Sequence, residues 1–108
     1  MTHIKVIIPA YNEEESIGKV INAIPNIVSE IIVISNNSTD KTINVAQNAG
    51  ATVLTEKRKG YGYACLKGME YVSKQKTRPD IIVFLDGDYS DYPEELPKLT
   101  NPIINDDI

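Results

Sequence analysis

Two aspartates separated by a single glycine, Asp86-Gly87-Asp88, follow directly on the apolar run Ile81-Ile82-Val83-Phe84-Leu85. Carboxylates this close repel each other unless a proton or a cation intervenes. Mg2+ or Mn2+ suits such a pair, because these hard ions are held by one or two carboxylates, with phosphate oxygens and waters completing the shell. A buried strand ending in paired acids therefore points to a metal and a phosphate-bearing ligand at the carboxyl edge of a sheet, with Asp86 and Asp88 as the ligands. The plainer alternative is a solvated turn, since Asp-Gly is a common turn pair and Tyr89-Ser90-Asp91 continue the polar stretch.

Three other segments carry groups of interest. Pro9-Ala10-Tyr11-Asn12-Glu13 leaves an apolar run toward a helix start, so Tyr11 could stack on a ring while Asn12 or Glu13 bonds a ribose or base. Equally, Asn12 could cap the helix while Glu13, Glu14 and Glu15 complement its dipole. Ser35, Asn36 and Asn37 offer donors and acceptors to a base edge, a composition that any strand-to-helix loop shares. Lys57-Arg58-Lys59 with Gly60 and Gly62 could approach a diphosphate or lie in solvent. That loop matches neither GxGxxG nor GxxxxGK[ST], which disfavours a dinucleotide fold and a P-loop kinase. His3 has no partner at metal-ligand spacing, and Cys65 reads as a packing residue.

The elements that must position these groups alternate between short apolar runs and helical patterns. Ile4 to Ile8 reads as a strand stopped by Pro9; Ile17, Val20, Ile21 and Ile24 form one helical face, ended by Pro25. Ile31 to Ile34 reads as a second strand, with Asn37 or Ser38 capping a helix that ends near Gly50 and buries Ile43, Ala46 and Ala49. Ala51 to Leu54 is a third strand, followed by a helix with Cys65, Met69 and Val72 on its buried side. Pro79 stands at the start of the fourth strand, Ile81 to Leu85, and Asp91 with Glu94 resembles a capping box for a last helix to about Leu96.

Four such βα units predict an α/β fold, a Rossmann-like doubly wound parallel sheet covered on both faces. With strand order 3-2-1-4 the chain reverses direction between strands one and four, and ligands bind in the crevice at that switch point. Pro9 to Glu13 and Asp86 to Asp88 would then face each other across it.

The bulk numbers agree with one small domain over residues 1–108. Apolar residues make up 42% and charged residues 24%, which indicates neither disorder nor a membrane protein. No apolar run approaches the ~20 residues that span a bilayer, and no signal-peptide pattern opens the chain, so a cytoplasmic location is expected. With 15 acidic against 11 basic residues the net charge is −4, which argues against a nucleic-acid partner.

Val6 to Glu14, Asn36 to Thr42, Lys59-Gly60-Tyr61-Gly62 and Phe84 to Asp88, in this order and at these intervals, resemble the family 2 glycosyltransferases of the GT-A fold. Arg58 to Met69 and Pro93-Glu94-Glu95 are most similar to the polyprenyl-phosphate (dolichyl-phosphate) mannosyl- and glucosyltransferase branch. The resemblance implies hexosyl transfer from a GDP- or UDP-linked sugar to an acceptor such as a polyprenyl phosphate, with Mg2+ or Mn2+ supporting the departing diphosphate. It implies nucleotide-sugar contacts from Pro9, Ala10, Tyr11, Glu13, Ser35, Asn36, Lys59, Gly60, Asp86, Gly87 and Asp88. Where the family places an aspartate at the end of strand two and a glycine in the following loop, this chain has Ser35 and Asn37. A serine cannot offer the charged acceptor that an aspartate gives a base imino group, which implies altered nucleotide affinity or choice.

Only 20 residues follow Asp88, whereas the family pattern places the acceptor-binding half, any general base and, in the lipid-linked branch, membrane anchors beyond that point. No catalytic base is identifiable, and the expectation is a donor-binding half that is incomplete as a stand-alone catalyst. A non-catalytic donor-binding or regulatory module, and a split-enzyme fragment that needs a partner chain, are the alternatives. The fourth strand has the composition of an interior strand with no successor, so its outer edge is expected to be covered by self-association, a partner chain or the tail from Asn101 to Ile108. A location at the membrane would come through such a partner.

Overall fold

A computed structural model describes residues 3–76 and 79–88. The elements run β1 (Ile4–Ala10), α1 (Ile17–Ala23), β2 (Glu30–Ser35), α2 (Thr42–Asn48), β3 (Thr52–Thr55), α3 (Tyr61–Ser73) and β4 (Ile81–Phe84). The strands form one parallel sheet in the order β3-β2-β1-β4, as predicted. The helix expected from Asp91 to Leu96 and the tail from Asn101 lie outside the described residues. Among the described residues no helix is long and apolar enough to cross a membrane.

Residues of alternating parity in β1 serve two cores, which is why its sequence is apolar without interruption. Val6, Ile8 and Ala10 pack with Val33, with Ile17, Val20, Ile21 and Ile24 of α1, and with Ala46 of α2. Ile7 packs on the opposite face with Ile32, Ile34, Ala64 and Val72. Helices therefore cover both faces, α1 and α2 on one and α3 on the other.

Several boundaries differ from expectation, each for a local reason. β1 runs through Pro9 to Ala10 instead of stopping at Ile8. The Leu85 amide donates to the Ile7 carbonyl and the Asn36 amide to the Ala10 carbonyl. Alternate residues thus face alternate neighbours, and Pro9 turns its missing N–H toward the β4 side, past the last paired residues Ile7 and Phe84. Asn12 does not cap α1, which starts at Ile17 after a turn closed by the Ser16 and Ile17 amides on the Glu13 carbonyl. α2 is capped by neither Asn37 nor Ser38; the Asp40 carboxylate accepts from the Thr42 amide at 2.9 Å and from the Thr42 hydroxyl. Desolvation works against the charged form of Asp40, but these bonds and the Glu14 amide outweigh it and hold the carboxyl below its ordinary value.

The buried stripe of α3 is Ala64, Gly68 and Val72 rather than Cys65, Met69 and Val72. Gly68 sets this rotation. A Cβ there would lie 2.7 Å from Ile7 Cγ2, so the helix backbone rests directly on β1 and larger neighbours turn outward. Met69 is accordingly 41% exposed, and Cys65 is half-buried.

At the amino ends of the strands, Glu30 gathers four donors that sequence reading did not single out. Lys5 Nζ (2.8 Å), Tyr71 OH (2.6 Å), Gln75 Nε2 (3.0 Å) and Thr52 Oγ1 (2.9 Å) all bond its carboxylate. Burial alone would raise the Glu30 pKa, but the bonds from Lys5, Tyr71, Gln75 and Thr52 overcome it and bring the value from its ordinary 4.5 to about 2. A carboxyl depressed in the fold stabilises it above the unfolded-state pKa, and that contribution fades as pH falls from 4.5 toward 2. Glu30→Gln should cost about 2 kcal/mol in urea titrations at pH 7 and should flatten the stability–pH curve between 4.5 and 2 relative to the parent chain.

Candidate functional site

β1 and β4 are neighbours, with α1 following β1 on one face of the sheet and α3 preceding β4 on the other, and the crevice beyond their carboxyl ends is a cleft of about 340 Å³. Its lining brings together Pro9, Ala10, Tyr11 and Glu13 from the end of β1 with Asp86, Gly87 and Asp88 from the end of β4. Asn36 adds one wall, and Tyr61 and Ala64 from the first turn of α3 add another. The size lies within the range of small-molecule sites. Tyr11 stands at the mouth with 59% of its surface exposed, and Tyr61 with 57%. Two partly exposed tyrosines at one cleft suit a planar ring. Tyr61 was not singled out as a site residue from sequence, although its place after Gly60 at a helix start beside the switch point was the available signal.

The wall built from the β1–α1 connection is rigid because the β2–α2 loop bonds it at several points. Asn12 takes φ of 51°, and from there its Oδ1 accepts from the Thr39 amide at 2.8 Å while its own amide donates to Ser38 Oγ at 3.1 Å. The Glu13 amide donates to Thr42 Oγ1 at 2.8 Å, and Glu14 Oε2 accepts from the Lys41 amide at 3.2 Å. Thr42 is fully buried and uses its hydroxyl both ways, accepting from Glu13 and donating to Asp40. Asn12 and Thr42 are therefore ties between two loops, which explains why Asn12 is unavailable as a helix cap.

Asn36 plays the same part on the opposite wall. Its Nδ2 donates to the Glu56 carbonyl (3.0 Å) and the Arg58 carbonyl (2.7 Å), and its Oδ1 accepts from the Gly60 amide (3.0 Å). Asn37, at φ of 65°, donates to the Lys57 carbonyl. Both asparagines thus pin the loop from Glu56 to Gly60, and the donors of Asn36 are spent on backbone. Ser35 is 1% exposed within β2, with no hydrogen-bond partner for its Oγ among the described residues, and it does not line the cleft.

The basic loop also differs from an open array of three cations. Arg58 donates to Glu56 from Nη2 at 2.7 Å and Nε at 3.2 Å, and its guanidinium lies 4.5 Å from the Tyr63 ring centroid. The side-chain bond from Arg58, followed by the bond from its amide, lowers the Glu56 pKa to about 2, and Glu56 in turn raises that of Arg58. Arg58 therefore serves its own loop. Lys59 and Gly60 lie beside Gly62, Tyr63 and Leu66 in a separate shallow hollow, not in the lining of the cleft.

The acidic turn is seated against α1. Gly87 is buried, and a Cβ there would stand 3.3 Å from Glu13 Cγ, 3.4 Å from Ala10 Cβ and 3.5 Å from Ile17 Cδ1. Its carbonyl accepts from Ser16 Oγ at 2.6 Å. Among the described residues no group of three or more His, Cys, Asp or Glu side chains is placed to surround a metal ion. Asp86 and Asp88 nonetheless share the cleft lining and supply hard oxygen donors, a set that fits Mg2+ or Mn2+ when a ligand's phosphate oxygens complete the shell.

Comparison with known proteins places this geometry in a family. The sequence pattern of glycosyl transferase family 2 matches residues 5–108. The chain is 37% identical over 108 residues to Protein RfbJ of Shigella flexneri, covering 98% of this chain and 80% of that protein. It is 32% identical over 111 residues to a dolichol-phosphate mannosyltransferase of Pyrococcus furiosus, covering 94% of this chain and 30% of that protein. A crystal structure of glucosyl-3-phosphoglycerate synthase from Mycobacterium tuberculosis in complex with Mn2+, UDP and glucosyl-3-phosphoglycerate superimposes with a TM-score of 0.79 at 33% identity. It covers 94% of this chain and 39% of the synthase. The chain thus spans well under half of the latter two proteins. With its parallel 3-2-1-4 sheet matching the GT-A structures and the family pattern running from the first strand to the last residue, the chain belongs to glycosyl transferase family 2.

Proposed function

We propose that the cleft between the ends of β1 and β4 binds a nucleoside-diphosphate sugar, with Asp86 and Asp88 holding Mn2+ or Mg2+ against its diphosphate. The observation that carries this reading is the meeting of Pro9 to Glu13 with Asp86 to Asp88 at the switch point of the sheet. Tyr11 offers its exposed face to the base, Pro9 and Ala10 form the floor, and Glu13 accepts from ribose hydroxyls. With both Asn36 donors committed to carbonyls, Asn36 presents only a remaining Oδ1 lone pair, so the base meets a neutral acceptor on that wall. Lys59 and Gly60 contribute through the loop that leads into Tyr61 rather than by lining the cleft. The bound metal would neutralise charge that develops on the departing nucleoside diphosphate. The chain's own part is to hold the donor still, so that an acceptor oxygen can attack the anomeric carbon with the diphosphate leaving.

The acceptor is proposed to be a phosphate-bearing molecule, a polyprenyl phosphate in the first instance. Similarity to the Pyrococcus furiosus dolichol-phosphate mannosyltransferase supports this, and the acceptor-binding groups would come from further polypeptide. The edge of β4 is where such polypeptide fits. The Ile81 amide donates to the His3 carbonyl and the Leu85 amide to the Ile7 carbonyl, so Ile82 and Phe84 direct their N–H and C=O groups away from β1. Phe84 is 39% exposed, and Met69, Val72, Pro79 and Ile82 line an apolar groove alongside. A donor-binding module without turnover is the second reading; binding of the nucleotide sugar with neither sugar transfer nor donor hydrolysis would favour it.

Two measurements test these statements. Calorimetric titration of the 108-residue chain with UDP, GDP, UDP-glucose and GDP-mannose should show binding strengthened by Mn2+. Asp88→Ala should abolish the metal-dependent part, roughly a tenfold or greater loss; metal-independent binding in both proteins would remove the aspartates from the metal role. Sedimentation over rising concentration should show self-association that Phe84→Lys reverses, whereas a monomer throughout would overturn self-association at the β4 edge.

A further inference from the structure

We infer that Ser16 is a positioning residue for the acidic turn, its hydroxyl orienting the Gly87–Asp88 peptide so that the Asp86 and Asp88 carboxylates are presented together to a metal-bound diphosphate. The inference rests on the proposed ligand of the cleft. A serine at a helix N-cap ordinarily spends its side-chain oxygen on the amides of the first turn. Ser16 occupies the N-cap of α1 and makes no such bond. Its hydroxyl donates instead to the Gly87 carbonyl at 2.6 Å, across 71 residues of sequence.

That bond acts on the turn in a defined way. The peptide linking Gly87 to Asp88 is planar and trans, so anchoring its carbonyl also fixes the direction of the Asp88 amide and the point from which the Asp88 side chain departs. The opposite side of the turn is already closed, because Gly87 rests on Ala10, Glu13 and Ile17 with room for no added Cβ beyond close contact. Ser16 supplies the directional hold and these three residues the steric one. The same hydroxyl lies 3.2 Å from Glu13 Oε2, so its single proton has two acceptors in reach, of which Gly87 is the nearer. One side chain thereby connects the two halves of the cleft, the end of β1 through Glu13 and the end of β4 through Gly87. Replacing Ser16 by alanine leaves the turn seated on its packed side but removes the bond that orients its peptide, which should matter for a metal held by the two carboxylates and not for a ring resting on Tyr11.

The test is a titration of UDP and GDP into wild-type, Ser16→Ala and Ser16→Thr chains, once with Mn2+ and once in EDTA. It is paired with amide hydrogen exchange at Gly87 and Asp88 in the absence of ligand. Ser16→Ala should weaken Mn2+-supported binding about three- to tenfold, leave binding in EDTA unchanged and speed exchange at Asp88; Ser16→Thr should restore the first and the last. Gly87→Ala, whose Cβ would stand 3.3 Å from Glu13 Cγ and so press on the packed side of the turn while keeping the hydroxyl, should weaken Mn2+-supported binding in the same metal-specific way and carries the test if Ser16→Ala does not fold. Equal weakening with and without Mn2+, or unchanged Mn2+-supported binding in a folded Ser16→Ala chain, overturns the positioning role while leaving the cleft assignment intact. A wild-type chain with no Mn2+-supported binding overturns the cleft assignment and this inference together.

Discussion

β1 is the strand on which everything else is hung. It lies between β2 and β4, is buried on both faces, and must therefore be apolar at every position from Val6 to Ile8 while continuing far enough to reach the site. Each of its faces nucleates a different core, so a polar substitution at Ile7 or Ile8 would expose one helix layer or the other to an unpaired group. The same centrality places the residues just past its end, Ala10 to Glu13, at the point where the chain turns to opposite sides of the sheet. Pro9 is tolerated because its missing donor faces a neighbour that has already ended.

The two ends of the sheet are finished with polar networks of different character. At the amino end, one carboxylate, Glu30, collects donors from β1, β3 and α3 and seals the α3-side core. This network joins elements that pack in any case, and its effect is on stability. At the carboxyl end, bonds run from side chains to the backbone of neighbouring loops: Asn12 to Thr39, Thr42 to Glu13, Asn36 to the 56–60 loop and Ser16 to Gly87. Backbone groups held this way cannot drift independently. Connections that would otherwise be the most mobile part of an α/β unit become a preorganised cleft.

Much of this architecture was legible from residue patterns. Apolar runs at Ile4, Ile31 and Ile81 separated by helical periodicity announced parallel strands, and the order 3-2-1-4 placed Asp86 to Asp88 opposite Pro9 to Glu13. Local capping was read less well. Asn12, Asn37 and Ser38 have the composition of N-caps, yet each is drawn into contacts with residues 20 or more positions away. The face of α3 was misjudged by one residue because the decisive position, Gly68, is buried through close backbone approach, which leaves no hydrophobic mark in the sequence. Glu30 looked like any charged strand-edge residue until four partners converged on it.

The sequence by itself determined the elements, their order, the family and the pair of acidic and strand-end motifs that flank the cleft, because these follow from short-range periodicity and from motif spacing along one chain. Only the tertiary structure decided which polar side chains line the cleft and which hold its walls. It buried Ser35, spent Asn36 and Arg58 on their own loop, brought Tyr61 to the cleft and set Ser16 on Gly87. The physical reason is that a hydrogen-bonding side chain takes whichever partner the fold brings within about 3 Å, and that partner is chosen by packing between segments far apart in sequence.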